Sequence, residues 1–90
     1  MSAPLPMPHA NIVVTEFEGG ESVLVDLDTK RYYQLNETAT VIWQALADGR
    51  SKTDIVARLT SVYDTTEEDA EKNVDRILEQ LKVQRLVVTA

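Results

Sequence analysis

The stretch S-V-L-V-D-L-D-T-K-R-Y-Y-Q-L-N, residues 22–36, is the part of the chain around which the rest is organised. Val23, Val25 and Leu27 alternate with Leu24 and Asp26, and the run Arg31-Tyr32-Tyr33-Gln34-Leu35 alternates again after Asp28-Thr29-Lys30. Two half-buried strands around a tight turn have this pattern. Asn36 is suited to accept hydrogen bonds from the first free backbone N–H groups of a helix. The E-T-A-T-V-I-W-Q-A-L that follows carries Ala39, Ile42, Trp43 and Leu46 at helical spacing. A strand therefore runs straight into a helix. In a simple meander the second strand of this hairpin is the last before the helical half and lies at a sheet edge, with one row of N–H and C=O groups unpaired. An extended peptide can add to such an edge as a further strand.

Working outward, residues 11–17 (N-I-V-V-T-E-F) are rich in β-branched side chains and read as a preceding strand, with Glu18-Gly19-Gly20-Glu21 as the turn between. Ile12, Val13 and Val14 are consecutive, so the alternation leaves the register of this strand open. Downstream, the first helix is expected over residues 37–48, with Gly49 ending it. Ser51 starts a second helix, Asp54 stands three residues on, and Ile55, Val56, Leu59, Val62 and Tyr63 form an apolar stripe. Thr66 and Asp69 repeat that capping arrangement, and Glu67, Glu68 and Asp69 suit the positive end of a helix dipole. Ala70, Val74, Ile77, Leu78 and Leu81 then make one continuous face of a third, longer helix ending near Gln84, and Leu86-Val87-Val88 forms a terminal strand or apolar clasp. The expected class is α+β: a three-stranded antiparallel sheet followed by three helices, resembling a winged helix-turn-helix.

Ninety residues suffice for one small core, burying roughly 60–65% of the surface an unfolded chain exposes. Residues 1–10 hold all three prolines and no cation, which is not the pattern of a secretory signal; they read as a flexible tail before a domain over residues 11–90 of a cytoplasmic protein. No apolar run approaches the roughly 18 residues of a membrane span, so no membrane partner is expected. With no cysteine and a single histidine, His9, neither a zinc site nor a histidine-based triad can be assembled, and no cofactor is expected. No glycine-rich phosphate loop occurs and no pair of carboxylates is placed in a shielded pocket, so the chain reads as non-catalytic. A net charge of −6 opposes nucleic-acid binding. The third helix, the recognition helix in a DNA-binding reading, carries six acids against three bases.

Tyr32 and Tyr33 are candidates for gripping a peptide, and because successive strand residues face opposite sides, one ring points away from whatever the other packs on. The plainer reading puts one tyrosine in the core and the other on ordinary surface. Trp43, on the apolar face of the first helix, reads as core. Arg76, Asp75 and Lys82 are candidate peptide contacts on an otherwise solvated helix face.

The run V-L-V-D-L-D-T-K-R-Y-Y-Q-L-N-E-T-A-T-V-I-W-Q-A-L-A-D-G, then D-I-V-A-R-L, Y-D-T-T-E-E-D-A and V-D-R-I-L-E-Q-L, resembles the PqqD-like family, the recognition element for ribosomally made, modified peptides. The resemblance spans residues 23–88, and D-x-x-T-x-R-Y-Y-x-L-N-E-T-A is its most specific part. It implies three strands and three helices, and a precursor leader peptide docked as an extra strand in the groove between the third strand and the third helix. It also implies that the leader is handed there to a modifying or processing enzyme, such as a leader peptidase or a radical SAM enzyme. Carried over by position, the strand contacts are Arg31, Tyr32, Tyr33, Gln34 and Leu35. On the helix two flanks border the apolar face, Glu71/Asp75/Leu78/Lys82 and Asp69/Asn73/Arg76/Gln80; the first is the expected contact because Leu78 extends the apolar surface toward it. Family members often have Gly where Lys30 stands, which implies a strained Lys30 or another turn type. The sequence is less similar to members dedicated to pyrroloquinoline quinone synthesis than to the small free-standing partners in lasso-peptide pathways.

The leading expectation is thus a non-catalytic adaptor that binds a leader by strand addition. Its rivals are a winged-helix DNA-binding regulator and a structural subunit whose open edge pairs with a second copy or a partner enzyme.

Overall fold

The computed structural model describes residues 5–88. Its elements in chain order are β1 (Met7–Pro8), β2 (Ile12–Glu16), β3 (Ser22–Asp26), β4 (Tyr32–Leu35), α1 (Glu37–Ala47), α2 (Lys52–Val62), α3 (Glu67–Val83) and β5 (Val87–Val88). Strands β2, β3 and β4 form an antiparallel sheet in that order, a simple meander with β4 at one edge. The architecture is the expected α+β one, a three-stranded sheet followed by three helices in a winged helix-turn-helix-like arrangement.

Pairing fixes the register that the consecutive apolar residues of β2 left open. Val14 stands opposite Leu24, and Leu24 opposite Tyr33, so Ile12 and Val14 lie on the helix side of the sheet and Val13 on the other. Leu24 is fully buried, while Val13 and Tyr32 on the outer face are exposed. Between β3 and β4 the Asp26 C=O accepts from Lys30 N–H at 2.8 Å, and Asp26 N–H donates to the Arg31 C=O at 2.9 Å. Lys30 and Arg31 thus oppose the single Asp26, a bulge that requires the first of the two to be left-handed; Lys30 has φ 63°. The strained backbone is the outcome, rather than another turn type.

The helices begin and end where their capping residues dictate. Asn36 Oδ1 accepts from Ala39 N–H at 2.8 Å, Ser51 Oγ from Asp54 N–H at 3.2 Å and Thr66 Oγ1 from Asp69 N–H at 3.1 Å. One buried polar link ties the sheet to α1. The Thr40 hydroxyl donates to the Asn36 C=O at 2.8 Å, which leaves Ser22 as the donor in the 2.8 Å Ser22–Thr40 hydroxyl pair. Around it, Leu24 and Leu35 from the sheet pack with Ile42, Trp43 and Leu46 of α1, Ile55 and Leu59 of α2, and Val74, Ile77 and Leu81 of α3 in one core. Each such side chain contributes about 1.5–3 kcal/mol by leaving water.

The expected tail needs correcting over its second half. Met7 and Pro8 pair with Val88 and Val87 in a two-stranded antiparallel sheet, His9 N–H donates to the Leu86 C=O at 2.9 Å, and Pro6 is buried. The proline-rich composition concealed this, because a two-residue strand has no readable alternation and Pro8 is tolerated in a ribbon with no further neighbour. Residues 1–4 of the expected tail lie outside the described residues. Leu86, buried, lies under the helices as the clasp reading required, and Val87–Val88 is also the terminal strand.

Candidate peptide-binding groove

Strand β4 borders the groove because Asn36 turns the chain out of the sheet and into α1, so that among the described residues no later strand covers the outer side of β4. Facing residues in an antiparallel pair alternate between those that exchange backbone bonds and those that do not. The bond from Asp26 N–H to the Arg31 C=O sets the phase, so the bonded pairs are Leu24 with Tyr33 and Ser22 with Leu35. The N–H and C=O of Tyr32 and of Gln34 therefore point to the open edge. Beside that edge runs a groove of about 450 Å³ lined by β4 from Tyr32 to Leu35, by Asn36 and Ala39, by Arg76, Ile77, Gln80, Leu81 and Gln84 of α3, and by Leu86. Its lining from Leu35, Ile77, Leu81 and Leu86 is buried core, and Arg76, Gln80 and Gln84 are exposed. This combination offers main-chain bonds along one side and an apolar floor beneath, which is what an extended peptide needs.

Of the expected strand residues, Tyr32, Tyr33, Gln34 and Leu35 all line the groove, and Arg31 lies just beyond it, on an adjoining cavity. Tyr33 packs half-buried against the core and Tyr32 is 74% exposed, so each half of the tyrosine reading applies to one ring.

The structure does not bring the expected helix flank, Glu71/Asp75/Leu78/Lys82, to the lining of this groove. Asp75 faces α2, where its carboxylate holds Lys52 Nζ at 2.7 Å; that bond, more than the accompanying charge attraction, raises the Lys52 pKa. Glu71 lines a separate crevice with Lys52, Thr53 and Val56, and Leu78 is buried in the core. Lys82 lies near the groove's end, on the cavity that also holds Arg31. The groove instead takes Arg76 and Gln80 from the other flank, together with Gln84 one turn on. Periodicity could not make this choice, because both flanks border the same apolar face and the side turned to β4 is set by how α3 packs on α2. An available clue was charge: Asp75 and Glu71 suit the single lysine near the start of α2, which leaves Arg76 for the open side.

Asp26 shapes the loop at the end of the groove. Its Oδ1 accepts from Asp28 N–H at 2.9 Å and Thr29 N–H at 3.3 Å. Partial desolvation works against ionisation, but these amides, the Thr29 hydroxyl and nearby His9 outweigh it and hold the Asp26 pKa below the usual carboxylate value. Among the described residues there is no group of His, Cys, Asp and Glu side chains that could hold a metal ion, and no helix is long and apolar enough to cross a membrane.

No curated protein matches the chain. A solved structure described as lasso peptide synthetase B1 complexed with the leader peptide is similar, with 33% identity and a TM-score of 0.81, over 94% of this chain and 98% of that one. A second, TbiB1 in complex with the TbiA(beta) leader peptide, shares the fold at 23% identity with a TM-score of 0.83, over 90% of this chain and 93% of that one. The family description Coenzyme PQQ synthesis protein D (PqqD) matches residues 21–87, from the start of the hairpin to the terminal strand. With that match covering most of its length, the chain belongs to the PqqD family.

Proposed function

We propose that the protein is a non-catalytic adaptor that binds the leader of a ribosomally made precursor peptide as a fourth strand on β4 and presents it to a modifying or processing enzyme. The observation that carries this reading is the pair of outward-facing backbone sites at Tyr32 and Gln34 beside a groove floored by Leu35, Ile77 and Leu81. The two similar structures support it, since both are described as holding leader peptides. Main-chain bonds supply affinity with little sequence demand, and the side chains of Tyr33, Arg76 and Gln80 supply selectivity. The recognition domain comprises residues 11–90 with Met7–Pro8 added to it, and it acts in the cytoplasm, where precursor and partner enzyme, a leader peptidase or a radical SAM enzyme, are made.

The test is a fluorescence titration of the purified protein with labelled peptides from short open reading frames beside its gene. Affinity in the micromolar range or tighter, lost on Gln34→Pro, is the expected result. Affinity unchanged by that substitution overturns strand addition at β4, and tight, salt-sensitive binding of duplex DNA overturns the adaptor reading altogether.

A further inference from the structure

The groove does not stop at Tyr32. It runs on into a second cavity of about 770 Å³ between the β3–β4 loop, the C-terminal end of α3 and β5, with Tyr33 and Gln84 lining both. Arg31, Lys82 and Arg85 line this cavity together with His9, and Arg76 stands on the groove leading to it. Four of the nine Lys and Arg residues thus line the two spaces, against two of the fifteen acids, in a protein whose net charge is −6.

Those two acids are already engaged. Asp26 accepts from the Asp28 and Thr29 amides, and Asp28 accepts from the Asn11 side-chain amide. The ion pairs among the described residues join Lys52 to Asp75 and Lys72 to Glu68, so neither uses a cation of the cavity. The backbone marks the same place. Arg85 has φ 59°, in the left-handed region where glycine is cheapest, and Lys30 in the adjoining loop has φ 63°. Of the two, Arg85 lines the cavity itself, in a conformation that glycine would take more cheaply.

A strand along β4 is about 13 Å long at the usual rise, so a bound peptide of more than about five residues can run past Arg31 into this space. We infer that the cavity receives carboxylates: the peptide carries Asp or Glu side chains in the segment beyond Arg31, seated among Arg31, Lys82 and Arg85. This assignment rests on the strand-addition reading above and adds to it the chemical class of peptide that the site selects.

The probe is a random-peptide display library selected on the whole protein, in parallel with Gln34→Pro and with the Lys82→Glu/Arg85→Glu double variant. Overall repulsion by a −6 protein disfavours acidic peptides, so their enrichment reports a local site. The expected result is enrichment of Gln34→Pro-sensitive peptides with acidic residues grouped toward one end. A labelled synthetic copy of one binds the double variant about tenfold more weakly. The neutral pair Lys82→Gln/Arg85→Gln, which leaves the exposed surface uncharged rather than reversed, gives a smaller loss in the same direction. Enriched peptides that need Gln34 but show no acidic grouping, and bind both double variants unchanged, overturn the carboxylate cavity and leave strand addition standing. Enriched peptides indifferent to Gln34→Pro overturn strand addition itself, and the cavity assignment with it.

Discussion

Gly49 and Arg85 hold the same backbone position at the ends of α1 and α3, with φ of 74° and 59°. In each case the residue's N–H returns to the carbonyl three back, Gly49 to Leu46 at 3.1 Å and Arg85 to Lys82 at 3.0 Å. The next N–H returns to the carbonyl five back, Arg50 to Ala45 and Leu86 to Leu81, each at 3.0 Å. Both helices thus end in the same double-bonded cap, one with the favoured residue and one without it. Arg85→Gly should raise stability by about 1 kcal/mol while weakening acidic-peptide binding. Gly49→Ala should lower it by about the same amount, and for conformational reasons alone, since an added Cβ there meets nothing within 4 Å. Urea denaturation of the two variants checks both signs.

Gln34 and Tyr33 are neighbours on β4 whose backbone groups face opposite ways, and proline separates their roles. Gln34→Pro removes an N–H aimed at the open edge, so the fold should persist with a melting temperature near that of the wild type while peptide affinity falls. Tyr33→Pro removes an N–H bonded within the sheet and should cost about 1–3 kcal/mol. Circular dichroism melts beside a binding titration distinguish the two. Equal destabilisation by both would show that the ladder phase is wrong.

The Ser22–Thr40 pair predicts an asymmetry between two deletions. Ser22→Ala leaves the Thr40 hydroxyl still donating to the Asn36 C=O, and should cost about 1 kcal/mol. Thr40→Val strands the Ser22 O–H in the core, and should cost about 2–3 kcal/mol. The double variant, with no orphaned donor, should be less destabilised than the sum of the two. A double-mutant cycle in urea reads this coupling directly.

Asp26 gives the β3–β4 loop a pH dependence of defined sign. Its pKa is lowered by folding from an ordinary value of 3.8, so the folded state binds its proton less readily than the unfolded chain. The stabilisation is complete above about pH 4 and is lost as pH falls through the folded-state value. Asp26→Asn should therefore be less stable than wild type at pH 6, and the gap should narrow on acidification below about pH 4. Chemical denaturation at several pH values measures that gap, and a constant difference would count against the loop amides as its origin.

The local order of the chain was legible because its signals are local. Asn36, Ser51 and Thr66 act on amides three residues away, and the five apolar positions from Ala70 to Leu81 declare one helix face. The alternation through residues 22–36 likewise specifies a hairpin, and the strand-then-helices order places β4 at an edge in any simple meander. The left-handed Lys30 was one of two outcomes that the family resemblance left open, the other being a different turn type.

What needed the tertiary structure is what depends on residues far apart in the chain. A two-residue ribbon between Met7–Pro8 and Val87–Val88 has no periodicity to read, and forms only because the core brings the two ends together. The groove face of α3 was settled by the Lys52–Asp75 contact with α2 and by the buried position of Leu78, which turn Arg76 and Gln80 toward β4. The order of strands and then helices was enough to place an open edge strand beside a long helix. Packing of α3 against α2 chose which side chains line the groove beside it, because an amphipathic helix has one apolar face but two flanks, and only its neighbours choose between them.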